Sequence, residues 1–178
     1  MPANTPNRGY TYATSDDAND LALISQRLGE QVDADVQAVI TARDSAWIDW
    51  TPTLTAATTN PNIGTTGARQ TGRYKVIGKT VIAEFDIAFA TSGTVSAGSG
   101  GYYISLPVPA RNVFTVEPVG TVFALDGSTC YPLLAQVDAN TGPSRIRMYS
   151  ASGGVTSSAP FAPSTGDAYR GQITYEAA

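Results

Sequence analysis

The sequence predicts a mainly β fold: a C-terminal antiparallel β-sandwich (jelly-roll-like) head preceded by an extended arm and one helix forming a trimeric bundle. Three features of the 178-residue chain predict it. From about Trp47 onward, short runs with a two-residue apolar period alternate with clusters of Gly, Pro, Ser, Thr and Asn. Upstream lies one segment with helical spacing, and no second helix follows to cover its apolar stripe. Short strands without intervening helices give a sandwich rather than an α/β fold.

Residues 1–15 carry Pro2, Pro6 and Gly9 with Tyr10 and Tyr12, and read as an attachment arm. Aromatic side chains are favoured at interfaces, which makes Tyr10 and Tyr12 its candidate anchors. Residues 16–43 read as a helical stalk. Ser15 or Asp16 can cap it, and Asp17 and Asp20 sit where the helix dipole favours negative charge. Arg43 suits the opposite end.

The apolar positions of this helix are Leu21, Ile24, Leu28, Val32, Val36 and Val39. The step from Leu21 to Val32 is eleven residues, so the stripe departs from a strict heptad. A narrow stripe on a lone helix finds cover on sister copies, and Leu with β-branched seam residues favours three strands over two. These six residues are therefore the expected homotrimer interface. The alternative is that the stripe lies back on the chain's own β domain. Residues 44–52 form a junction, where Trp47 and Trp50 are expected to plug the seam between helix and head rather than stack on a sugar.

Residues 53–178 are the head. Thr71–Ile77 and Thr80–Ala90 flank Gly78-Lys79, a tight hairpin. In the second run Val81, Ala83, Phe85, Ile87 and Phe89 share one face, and Ile82, Glu84, Asp86 and Ala88 the other, as in a half-buried strand. Further strands are expected at Tyr102–Leu106, Val119–Leu125, Thr129–Val137, Arg145–Tyr149 and Gly171–Tyr175. The Gly-rich stretch from Ser92 to Gly101 lacks the Lys-Ser/Thr of a phosphate-binding loop and reads as a mobile surface loop.

Composition excludes much chemistry. The chain has no histidine, which removes the commonest general base and metal ligand and every Ser-His or Cys-His nucleophile. With one cysteine, Cys130, neither a zinc site nor an intrachain disulfide can form. Cys130 is expected to be a buried thiol. No enzyme activity, cofactor or metal is expected. Glu84 and Asp86 could in principle serve a glycosidase, but alternating carboxylates on a solvated sheet face look the same.

Charged residues make up 15% of the chain, against about 25% in a typical globular protein. Residues 1–50 hold eight acids against three arginines, which accounts for all of the net charge of −4, and the remainder is near neutral. Nothing forms a basic stripe for nucleic acid. No apolar run reaches membrane-spanning length, and the polar first residues do not read as a signal peptide, so synthesis in a cytoplasm is expected. Tyr102 and Tyr103 are the candidates for glycan contact.

Four segments stand out together: Thr71-Gly72-Arg73-Tyr74-Lys75-Val76-Ile77-Gly78-Lys79-Thr80-Val81, the opening Trp50-Thr51-Pro52-Thr53-Leu54-Thr55-Ala56, the middle Ile104-Ser105-Leu106-Pro107-Val108-Pro109-Ala110 and the ending Gly171-Gln172-Ile173-Thr174-Tyr175-Glu176-Ala177. They resemble stretches of small tail-associated proteins of phages infecting Gram-positive hosts. The start, Asn4-Thr5-Pro6-Asn7-Arg8-Gly9-Tyr10 with the later Leu28-Gly29-Glu30-Gln31-Val32-Asp33-Ala34, resembles theirs too. The resemblance implies a virion protein at the particle surface, either a minor tail or fibre-like protein or a capsid decoration or head fibre. In this reading the arm engages other virion proteins and the head faces the host surface; the alternative is a carbohydrate-binding receptor-recognition module that takes host cell-wall glycan. The resemblance brings no catalytic residues.

Overall fold

The computed structural model describes residues 3–4, 11–12, 21–44, 46–111, 119–138 and 142–178, with backbone alone at 3, 4, 11, 12, 21, 22 and 42. The chain divides into two compact units, Met1–Ser45 and Ala46–Ala178.

In the first unit, β1 (Ala3–Asn4) pairs antiparallel with β2 (Thr11–Tyr12), Ala3 opposite Tyr12 and Asn4 opposite Thr11. The extended arm therefore folds back on itself. Helix α1 (Leu21–Arg43) has 23 residues, and so is about 35 Å long. The expected cap at Ser15 or Asp16 and the acids Asp17 and Asp20 lie outside the described residues. Along the helix, Gln26 donates to Glu30 at 2.9 Å, one turn on. At its end the Asp44 amide donates to the Ile40 carbonyl, and the Arg43 guanidinium lies on the Asp44 carboxylate at 2.9 Å.

The apolar ridge of α1 is unevenly covered. Ile24 is buried and Leu28 half-buried, while Val32, Val36 and Val39 are 40%, 50% and 63% exposed. Within the first unit, the described residues leave the C-terminal half of the ridge uncovered.

The second unit is built from antiparallel strands: β3 (Ile48–Trp50), β4 (Leu54–Ala56), β5 (Arg69–Ile77), β6 (Thr80–Ala88), β7 (Tyr102–Ser105), β8 (Val119–Asp126), β9 (Thr129–Val137), β10 (Arg145–Ser150), β11 (Gly153–Gly154) and β12 (Ala168–Glu176). Glycines at positive φ, Gly78 (61°) and Gly127 (56°), make the tight turns of the β5–β6 and β8–β9 hairpins. The expected strands all form, with β3, β4 and β11 added. The mainly β, antiparallel character of the head is as the sequence predicts.

The ladders run in one continuous path, β3-β5-β6-β12-β8-β9-β10-β7-β4, with β11 attached to β10. Both edge strands come from the same stretch of chain, with only Thr51, Pro52 and Thr53 between them. Nine strands laid flat would span about 38 Å, yet four residues of chain reach at most about 14 Å. The sheet must therefore roll its two edges together. One face of one antiparallel sheet closes on itself into a half-barrel.

Side chains alternate accordingly. Val81, Ala83, Phe85 and Ile87 of β6 point inward, with Tyr169, Ile173 and Tyr175 of β12 and Leu133, Ala135 and Val137 of β9. Tyr131, Phe161 and Tyr169 stack through the middle, at centroid distances of 5.2 and 6.1 Å. Glycine is required where inward neighbours are large: a Cβ on Gly171 would lie 2.6 Å from the Thr121 carbonyl and 2.9 Å from Phe85 Cζ.

Two expectations are corrected. Cys130 is exposed, because Tyr131, Leu133, Ala135 and Val137 take the inward parity of β9. The Gly-rich stretch is clamped rather than free: Ser99 and Ser96 exchange backbone hydrogen bonds with Thr59 and Asn62. Within the head, Trp50 packs on the core opposite Gly72, and Trp47 carries the Arg73 guanidinium 4.7 Å above its ring.

Candidate functional site

The residues singled out from sequence have different fates. Tyr10 lies outside the described residues, and Tyr12 and Leu21 are described by backbone alone. Tyr102 and Tyr103 do not offer stacking platforms: they are 1% and 8% exposed. Tyr102 faces the core and donates to the Ala97 carbonyl. Burial pushes its pKa up to about 12. Tyr103 points outward but lies under two guanidinium groups, Arg145 at 4.0 Å and Arg147 at 5.4 Å from its ring. Arg145 is fixed in turn by the buried Asp138 at 2.9 Å.

Glu84 and Asp86 share the exposed face of β6, and each already holds a cation. Glu84 accepts from Arg73 at 2.8 Å, and Asp86 accepts from Arg69 at 3.1 Å and Arg170 at 3.2 Å. Neither stands in an enclosed cleft, so the arrangement is that of an ion-paired sheet surface. Among the described residues no group of His, Cys, Asp and Glu could hold a metal ion, and no helix is long and apolar enough to cross a membrane.

The ladder registers place these pairs in a larger pattern. One row of outward side chains crosses the strands as Thr71, Asp86, Arg170, Phe123 and Pro132. A second runs parallel to it as Asp49, Arg73, Glu84, Gln172, Thr121 and Leu134. Between them the inward row Trp50, Gly72, Phe85, Gly171 and Val122 presents only backbone to the outside. The result is a trough across the sheet.

Three open hollows make up this trough. The first, of about 400 Å³, is lined by Asp49, Trp50, Thr51, Gln70, Thr71 and Gly72. It runs through shared walls into a second of about 360 Å³ beside Arg73, Glu84 and Asp86. The third, also about 360 Å³, lies between Phe123 and Arg170 on one side and Thr121 and Gln172 on the other. From β3 to β8 the trough covers four strand spacings, about 19 Å.

Sequence alone missed Arg170, Gln172, Thr121 and Phe123 as members of one site. Parity was the available signal for Phe123: with Val122 and Ala124 buried, position 123 faces out, and its ring is 53% exposed. The cross-strand order that brings β12 between β6 and β8 has no counterpart in local sequence. Compared with known proteins, the chain matches no family model, no curated protein and no solved structure.

Proposed function

We propose that the chain is a structural protein of a phage virion, a homotrimeric minor tail or fibre-like subunit whose head faces outward for host-surface contact. The arm engages other virion proteins, α1 forms the trimeric bundle, and the half-barrel is the contact domain. The observation that carries this reading is the bare C-terminal half of the α1 ridge. Val32, Val36 and Val39 line one side of α1 and are 40%, 50% and 63% exposed. An apolar stripe of this kind is stabilised by sister helices. The resemblance of its segments to tail-associated proteins supplies the virion setting.

Linked subunits suit such a role, because several weak head contacts made together gain effective concentration. Sedimentation equilibrium of the full chain should give three times the chain mass. Antibody against the head should label phage particles in electron micrographs, at the tail for the minor tail reading and over the capsid for a decoration or head fibre. A monomeric mass, or particles that never label, would overturn the proposal.

A further inference from the structure

We infer that the trough on the outer face of the half-barrel is a binding site for a neutral, linear oligosaccharide. This deepens the head's assignment to host-surface contact and rests on that reading; its failure would leave the self-association of α1 standing.

Shape is the first argument. The trough is open at both ends and crosses β3, β5, β6, β12 and β8, so it suits an extended chain rather than a compact molecule. Its floor is flat because Gly72 and Gly171 flank Phe85 in register and all three show only backbone outward. A ligand can therefore lie close to the sheet along the whole length.

The walls are the second argument. Asp49, Arg73, Glu84, Asp86, Arg170 and Gln172 are planar hydrogen-bonding groups, which match vicinal hydroxyls in pairs. Ion pairs on Glu84 and Asp86 fix four of them before any ligand arrives, and Trp47 supports Arg73 from below. Preorganised groups lose less freedom on binding. At the β8 end the exposed Phe123 ring supplies an aromatic platform for a sugar face.

Charge selects among glycans. Asp49, Glu84 and Asp86 share the trough with Arg73 and Arg170, and Arg69, just outside it, pairs with Asp86, so positive and negative groups balance at the site. A polyanion would gain nothing from the arginines that it did not lose to the carboxylates beside them. The neutral polymer is the ligand this balance fits.

The test presents the full chain to an array of neutral linear hexose and N-acetylhexosamine oligosaccharides, with polyglycerol phosphate as the anionic arm. Wild type should bind at least one neutral probe, with little dependence on salt. Phe123→Ala should weaken that binding about tenfold, the scale of one lost stacking contact. Thr121→Trp, which places a ring across the trough, should abolish it, as Ser152→Ala on the β10–β11 turn should not. Gln172→Ala provides a second trough variant should Thr121→Trp fail to match the wild-type thermal melt. Absence of binding to every neutral probe, binding to polyglycerol phosphate alone, or binding indifferent to the trough variants would overturn the inference. So would a change of solution mass in Thr121→Trp, which would seat a second copy in the trough.

Discussion

The ring of Tyr169 stands 6.1 Å from that of Tyr102 at an interplanar angle of 88°, yet the two hydroxyls are served differently. Tyr102 donates to the Ala97 carbonyl, whereas the buried Tyr169 hydroxyl has no hydrogen-bond partner among the described residues. A buried polar group without a partner costs roughly 1–3 kcal/mol. Tyr169→Phe keeps the stack on Phe161 and removes only that oxygen. It should raise stability by about 1 kcal/mol, read as a higher midpoint in urea at unchanged slope.

The same burial sets an alkaline limit. Desolvation pushes Tyr102 and Tyr175 up to about 12 from 10.0, and Tyr169 up as well. In the folded head these phenols stay neutral at a pH where the unfolded chain has already lost their protons. Their contribution to stability is therefore intact below pH 10 and is lost as pH rises through the folded values. Denaturant midpoints should hold to about pH 10 and then fall steeply toward pH 12, together with the rise of tyrosinate absorbance. Tyr102→Phe should flatten that fall.

Two glycines should respond in opposite directions to an added methyl group. A Cβ on Gly171 meets the Thr121 carbonyl, Val122 and Phe85 within 2.9 Å, so Gly171→Ala should destabilise by about 1–3 kcal/mol. A Cβ on Gly29 meets nothing within 4 Å and the residue lies inside α1, where glycine is a poor helix former. Gly29→Ala should stabilise by roughly 0.5–1 kcal/mol. Thermal melts of the two variants measure both signs.

How far the sequence reaches can be followed along β6 and β9. The alternation of Val81, Ala83, Phe85 and Ile87 against Ile82, Glu84 and Asp86 declares which face is buried, and the burial follows it. The same alternation, applied to Tyr131, Leu133 and Ala135, turns Cys130 outward, although its apolar neighbourhood argued for burial. Tyr102 and Tyr103 occupy opposite parities, but outward parity did not leave Tyr103 free, because Arg145 and Arg147 cover it from the neighbouring strand. β3 and β4 are three residues each, too short for periodicity to show. The trough was illegible for a related reason: Glu84 and Gln172 become neighbours through pairing of β6 with β12, across nearly ninety positions of sequence.

Within α1, Val36 separates the trimer from the alternative more cleanly than any other ridge position. It is 50% exposed, so in a monomer Val36→Asp touches little and should shift stability by no more than about 0.5 kcal/mol. Leu28 is half-buried and Ile24 buried within the single chain, so an acid at either would confound the two readings. In a trimer, three carboxylates at position 36 would meet in one apolar seam, where burying unpaired charge is prohibitive. Val36→Asp should therefore reduce the sedimentation mass from three chains to one, with the head's urea transition preserved. A wild-type chain that already sediments as one, or a variant that remains threefold, removes the bundle and leaves the exposed valines as an ordinary feature of the helix surface.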